Sequence, residues 1–283
     1  MIYFYNTKLT NIPASLKPTG CLNVYLMAIV TLLTDCGESD HYVAAIKAKI
    51  LSVNPGLTIV DISHTIAACD IGHGAFVLKA VFRDFPKGTV HLAGVDSTSN
   101  RGDSCIALQL EDHFFVGSDN GLFGLISEKP YQILVELNKI NPVISTFPEK
   151  DIFAAVAAKL ASGVAISTVG IAMPAFKKMT DRHVKATKKL IAGNVIRIDN
   201  YGNLITNIPK DAFETLSKGK NFTIQFGGEK FKRIHSTYNQ TDQGECFLIF
   251  NSLGLLEIGI YKGNANELLG LSYDSPVNIM FEE

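Results

Sequence analysis

Apolar residues run together over 28–33 (AIVTLL), break at Thr34-Asp35-Cys36-Gly37, and resume at helical spacing in Val43, Ile46, Ile50 and Leu51. A short, continuously apolar, branched run predicts a buried strand, and the 3–4 spacing predicts a helix, with Ser39 or Asp40 placed to cap it. "NPG" at 54–56 ends that helix, and "LTIVDIS" predicts the next strand. Ala75, Leu78, Val81 and Phe82 mark a second helix that "FPKG" stops, and "TVHLAGVD" predicts a third strand ending at Asp96. "CIALQL" and "HFFVG" with "ED" between them read as a hairpin, "YQILVEL" as another strand, and "DIFAAVAAKLASG" as a helix closed by Gly163. Strands alternating with helices predict an α/β domain over 27–171, built on a mainly parallel sheet with flanking helices.

The pattern then changes. Residues 172–190 are basic, polar and weakly periodic, as a linker between domains is. From 191 to 283 come short strands separated by Gly, Asn and Lys ("NVIRID", "NLITNI", "NFTIQF", "KFKRIH", "CFLIFN", "LLEIGIY", "VNIMF"), interrupted only by a helical stretch near "KDAFETL". That texture predicts a C-terminal antiparallel β-barrel domain. Residues 1–26 lack the basic start, apolar core and cleavage site of a signal peptide and read as an N-terminal extension.

Composition narrows the class. The 283 residues carry a net charge of −1 with 47% hydrophobic and 19% charged, so charge gives no reason to expect nucleic acid or an anionic membrane as partner. No stretch reaches the roughly 18 apolar residues of a membrane span. Five widely spaced cysteines without a CxxC pair fit a reducing cytoplasm better than a disulfide framework or a structural zinc site.

The chain has no GxxxxGK[ST] loop, no GxGxxG after the first strand, no HExxH and no GxSxG, and its seven histidines show no metal-ligand spacing. Polar groups gather instead where predicted strands end: Asp35 with Asp40, Ser63–His64 followed by Asp70, Asp96 before "STSNR", and Asp119–Asn120 in "GSDNG". Each has a structural reading, as a helix cap, a tight turn or a satisfied histidine. Together, at the carboxyl edge of one sheet, they outline a crevice where a carboxylate can accept hydrogen bonds from a ribose diol. In the predicted barrel, "IDNYGNLITNI" places Asp199, Tyr201 and Asn203 in one turn; an Asn amide pairs with an adenine edge and an aromatic ring stacks on its face, or the segment is a plain hairpin turn.

"LTDCGESDHYVAAIKAKI", "IVDISHTIAACDIGHGAFVL", "FPKGTVHLAGVD", "GSDNGLF", "IDNYGNLITNI" and "NSLGLLEIGIYKGNA" follow one another in an order that resembles the S-adenosylmethionine (SAM) hydroxide adenosyltransferases, relatives of the SAM-dependent fluorinase and chlorinase, from Met27 to the C-terminus. The resemblance implies a homotrimer that holds SAM between the α/β domain of one subunit and the barrel of its neighbour, with SAM as substrate, no cofactor and no metal. It implies that Asp35 holds the ribose hydroxyls, Asn203 the adenine edge, Tyr201 its face, Asp199 the methionine ammonium and Ser252 the methionine carboxylate, with Ser99 and Phe147 also on the substrate.

The implied activity is attack on C5′ by water or hydroxide, giving adenosine and L-methionine. Family hydrolases orient that water with an Asp-Arg-His set. Asp96 matches the Asp. Arg101 follows "STSN" two residues earlier than the family pattern, in place of a glycine-rich loop. The family's Thr-Phe-His-Gly-Arg-Asp reads "TFPEKD" here, so Pro148 stands at the histidine position and Glu149 is the candidate substitute. The expected catalytic set is therefore Asp96, Arg101 and Glu149. A non-catalytic adenosine or SAM binding protein and a SAM-dependent halogenase are the alternatives.

Overall fold

The computed structural model describes residues 28–98, 104–137, 139, 144–180 and 182–282. The N-terminal extension, Ser99 and Arg101 lie outside the described residues.

In chain order the first half comprises β1 (Ile29–Thr34), α1 (Tyr42–Val53), β2 (Thr58–Ser63), α2 (Ile71–Val81), β3 (Val90–Gly94), β4 (Cys105–Leu110), β5 (His113–Ser118), α3 (Leu122–Ile126), β6 (Ile133–Glu136), α4 (Ala154–Ala161) and β7 (Ile171–Ala172). They form one mixed sheet in the order β2-β1-β3-β5-β4-β6-β7. The block β2-β1-β3-β5 is parallel and carries the predicted α/β pattern, whereas β4, β6 and β7 run antiparallel. The β4–β5 turn is the predicted hairpin, with Glu111 and Asp112 both left-handed (φ 51° and 64°), as a two-residue loop matched to strand twist requires.

β1 lies inside this block and is covered on both faces, which explains its unbroken apolar run. Val30 and Leu32 join the core beneath α1 and α4, while Leu33 joins the core beneath α2 and α3. β3 repeats the alternation, with Val90 and Leu92 on one side and Ala93 on the other. Helix α1 departs from expectation at two points. Neither Ser39 nor Asp40 caps it: the cap position is His41, with no side-chain cap bond. Ile46 and Ile50 are buried but Leu51 is exposed, because the buried stripe is narrower than the apolar pattern. Helix α2 is capped by Asp70, whose carboxylate accepts from the His73 amide at 2.9 Å.

The second half comprises β8 (Lys185–Ala186), β9 (Leu190–Ile198), β10 (Leu204–Pro209), α5 (Lys210–Ser217), β11 (Phe222–Phe226), β12 (Glu229–Phe231), β13 (Cys246–Phe250), β14 (Leu255–Ile260), α6 (Ala265–Leu269) and β15 (Pro276–Phe281). The antiparallel sheet runs β12-β11-β15-β9-β10-β14-β13, with β8 beside β9, around a core that includes Ile191, Leu248, Ile258 and Ile279. The expected barrel is open rather than closed. The "KFKRIH" strand stops at Phe231 because the polar stretch 235–245 has no apolar alternation to extend it, and β12 and β13 do not pair. His235 bonds across the seam: its amide donates to the Leu248 carbonyl (2.6 Å), and the Leu248 amide donates to His235 Nδ1 (3.2 Å). Helix α6, unanticipated in the strand pattern, is capped by Asn264 at one end and ends at Gly270 with φ 63° at the other.

Candidate functional site

The parallel strands β2, β1, β3 and β5 deliver four loops to one edge of the sheet, the place where open α/β sheets bind ligands. Asp35 follows β1 directly. One of its carboxylate oxygens, Oδ2, accepts from two backbone amides, Cys69 at 2.9 Å and Asp96 at 3.1 Å. Both donors are left-handed non-glycine residues, with φ 60° at Cys69 and 49° at Asp96. Such a conformation costs on the order of 1–3 kcal/mol and persists only where the surroundings impose it. Asp35 therefore ties three loops together through Oδ2. The Asp96 carboxylate is the main influence that raises the pKa of the exposed Cys69 thiol.

"GSDNG" supports the same corner from β5. Asn120 Nδ2 donates to the carbonyls of Val95 (2.8 Å) and Asp96 (3.2 Å), and the Ser118 hydroxyl donates to the Ser97 carbonyl (2.8 Å). Asp119 accepts from the Lys177 amide at 2.7 Å, so its role here is structural. His64 is only half satisfied: its Nδ1 is 2.8 Å from the Thr34 hydroxyl, while its buried Nε2 stands 3.2 Å from Asp61 without making a hydrogen bond.

Glu149 reaches this edge from a π-helical turn, Glu149–Phe153, that runs directly into α4. Such turns recur at functional sites. Its side chain lies over Gly94: a Cβ built there would stand 2.5 Å from Glu149 Cγ. Burial raises the Glu149 pKa and the Asp35 charge adds to it, against the opposing Ser97 hydroxyl and a backbone amide. A pocket of about 170 Å3 is lined by Thr34, Cys36, Tyr42, Gly94, Thr98, Thr146, Phe147 and Glu149. Phe147 forms one wall, edge-on to Tyr42 with ring centroids 5.3 Å apart. A larger cavity of about 500 Å3, with Phe213, Phe222 and Phe250 among its walls, belongs to the C-terminal sheet and touches none of these carboxylates.

The second cluster is the turn joining β9 to β10. Asp199 Oδ1 accepts from the amides of Tyr201 and Asn203, both at 2.9 Å, which folds the turn and leaves the Tyr201 ring 78% exposed. Asn203 is buried, and its Nδ2 donates to Asp199 (3.3 Å) and to Glu257 Oε1 (3.1 Å). Asn251 donates to the other oxygen of Glu257 at 2.9 Å, and the adjacent Ser252 is exposed. Glu257 is only 3% exposed, and burial, reinforced by the Asp199 charge, raises its pKa. Both Asn203 donors are engaged inside the chain, so a paired donor–acceptor contact to an adenine edge would need this network to open; the free partner is the Asn203 oxygen.

The structure thus gathers Asp35, Asp96, Phe147 and Glu149 at one edge and Asp199, Tyr201 and Asn203 at another, with Ser252 beside Asn251. Among the described residues, no hydrogen bond, ion pair or ring contact joins the two groups. Sequence reasoning did not single out Asn120 as a loop brace, Cys69, or Glu257. Glu257 had one available signal, a carboxylate within the apolar strand "LLEIGI". Among the described residues, no group of three His, Cys, Asp or Glu is placed to hold a metal ion, and no helix is long and apolar enough to cross a membrane.

Comparison with known proteins returns the same two halves. Residues 30–170 match the SAM hydroxide adenosyltransferase N-terminal domain and 193–278 the C-terminal domain of that family. The chain is 32% identical over 275 residues to the (R)-S-adenosyl-L-methionine hydrolase of Methanocaldococcus jannaschii, covering 90% of this chain and 97% of that one. It is 30% identical over 269 residues to the hydrolase of the same name from Thermus thermophilus, covering 90% and 100%. A fluorinase of Actinoplanes is 26% identical over 225 residues, covering 68% and 75%. Among solved structures, an uncharacterized conserved protein from Thermotoga maritima superposes with a TM-score of 0.81 at 30% identity, over 89% of this chain and 99% of that one.

Proposed function

The chain belongs to the SAM hydroxide adenosyltransferase family, and from that premise we propose that it is a SAM hydrolase, attacking C5′ with water or hydroxide to release adenosine and L-methionine. The observation that carries the reading is the convergence of Asp35, Asp96 and Glu149 on one sheet edge, with Glu149, next to the Pro148 that stands at the family's histidine position, lying over Gly94. A sulfonium is already a good leaving group, so the site needs no general acid. Its work is to align a nucleophile with C5′ and to shield it from bulk water. Three carboxyl groups complement the cationic substrate and oppose a halide. A carboxyl whose pKa is raised by burial is suited to take the proton of the attacking water, the role we give Glu149, with Asp96 and Arg101 orienting that water.

In this reading Asp35 Oδ1 holds the ribose, Ser99 and Phe147 face the substrate, Tyr201 and the Asn203 oxygen meet the adenine, Asp199 the ammonium and Ser252 the carboxylate. The domains are 27–171 and 191–283, joined by 172–190. The enzyme is a cytoplasmic homotrimer whose site forms between subunits. Support for the shared site is geometric. The pocket of about 170 Å3 is smaller than the 300 Å3 or more typical of small-molecule sites, and the Asp199–Asn203 turn makes no contact with it.

The test is to incubate the protein with SAM, with and without chloride, and to chromatograph the nucleosides. Adenosine with equimolar methionine is expected in both. A 5′-chlorinated nucleoside would make it a halogenase, and intact SAM with measurable binding would make it a binding protein.

A further inference from the structure

Asp96 is held at both ends of its own backbone. Its N–H is fixed by Asp35 Oδ2 at 3.1 Å, and its carbonyl, with that of Val95, is fixed by Asn120 Nδ2 at 3.2 and 2.8 Å. Between those two anchors the residue sits at φ 49°, a conformation that L side chains with a Cβ rarely adopt. Returning to negative φ would swing the N–H and the carbonyl out of both anchors at once. The third capacity of the Asn120 amide is also used: its Oδ1 accepts from the Leu122 amide at 3.2 Å, fastening the brace to the first residue of α3. Asn120 is buried, so its loss takes the side-chain partner from two carbonyls and one amide in the interior. No other neutral side chain of this size offers two N–H donors and an acceptor from one plane.

We infer that Asn120 is a positioning residue for the proposed hydrolysis: its amide, acting opposite the Asp35 carboxylate, clamps Asp96 in the left-handed conformation that directs the Asp96 carboxylate at Cys69 and the cleft. "GSDNG" is then not a turn that happens to border the site but the brace that aims one of its carboxylates. The inference rests on the functional reading for its effect on turnover, though not for its effect on Asp96 itself.

That separation shapes the experiment. The Asp96 carboxylate is the main influence raising the pKa of the exposed Cys69 thiol, so Cys69 reports where Asp96 points. Asn120→Ala removes the clamp, and Asn120→Leu removes it while filling the same volume should the smaller side chain leave the protein unfolded. Each variant and the parent chain are assayed for adenosine formation, for SAM binding by calorimetry, and for the pH dependence of Cys69 alkylation by iodoacetamide, read on the Cys69 peptide by mass spectrometry. Expected are a kcat loss of about tenfold or more with SAM affinity within about threefold, and Cys69 alkylation at pH 8 faster by about threefold or more as its pKa returns toward the ordinary thiol value of about 8.5. Unchanged alkylation overturns the clamp, whatever happens to turnover. Altered alkylation with unchanged kcat overturns the catalytic consequence. A parent chain that forms no adenosine overturns the functional reading instead, while the alkylation profile still decides the clamp.

Discussion

At the residue scale, the site is an arrangement of carboxylates distinguished by their surroundings. Asp35 Oδ2 is held by two backbone amides, Asp96 is held in a left-handed conformation, and Glu149 is half-buried with a raised pKa. Glu149→Gln keeps the shape and removes the base; kcat for adenosine formation is expected to fall by about 10²-fold or more, with the SAM dissociation constant little changed. Gly94→Ala tests the same carboxylate from below. The new Cβ would stand 2.5 Å from Glu149 Cγ, so the side chain has to move, and a displacement near 1 Å is expected to cost up to about 10²-fold in kcat. Single-turnover kinetics with SAM checks both. How far these residues were legible follows from what each one does. Asp35, Asp96 and Glu149 stand where apolar runs end or where a family segment changes, so the sequence points at them. Asn120 and Glu257 act through partners 24 and 54 positions away in the chain; "GSDNG" reads locally as a turn, and the lone carboxylate of "LLEIGI" marks Glu257 without naming its partner.

At the element scale, the parallel block β2-β1-β3-β5 carries the site, and its interior holds a polar seam. Thr31 Oγ1 is 2.7 Å from His91 Nδ1, and His91 Nε2 is 3.2 Å from His113 Nδ1, between the rings of Phe82 and Phe115. Burial, with the neighbouring His113, pushes the His91 pKa down to about 3, and burial lowers His113 as well. His91 therefore stays neutral in the folded chain and His113 is harder to protonate than a free imidazole, whereas in the unfolded chain both protonate below about pH 6.5. The unfolded state then binds more protons, so stability is full above pH 6.5 and falls as the pH drops from there toward 3. Urea denaturation is expected to show a midpoint that declines between pH 6.5 and 4.5, and His91→Phe, if accommodated, flattens that decline. The other element-scale test is Asp70→Ala, which removes the α2 cap and is expected to cost about 1 kcal/mol in the same titration. Strand and helix order was readable because β1 and β3 are buried on both faces. The antiparallel partners β6 and β7 and the open seam at β12 were not, since pairing direction and closure depend on where distant strands lie.

At the scale of the whole molecule, the two polar clusters belong to different halves of the chain, and Tyr201 is 78% exposed and pairs with no other ring among the described residues. If each site takes its sheet edge from one subunit and its Asp199 turn from the next, two defective chains can complement one another. Glu149→Gln chains mixed with Asp199→Ala chains, unfolded together and refolded, are expected to recover about a quarter of parental adenosine formation, since random closure of a cyclic trimer pairs two intact halves that often. Recovery at the level of either variant alone would place each site within a single subunit. Sedimentation of the parent checks the trimer independently.

The π-helical turn at Glu149–Phe153 carries an implication for how this lineage can change. Such a turn amounts to one residue more than an α-helix needs. Deleting Lys150 would let regular winding resume with α4 still in register on the sheet, so what the loss would retune is the turn that carries Glu149 over Gly94.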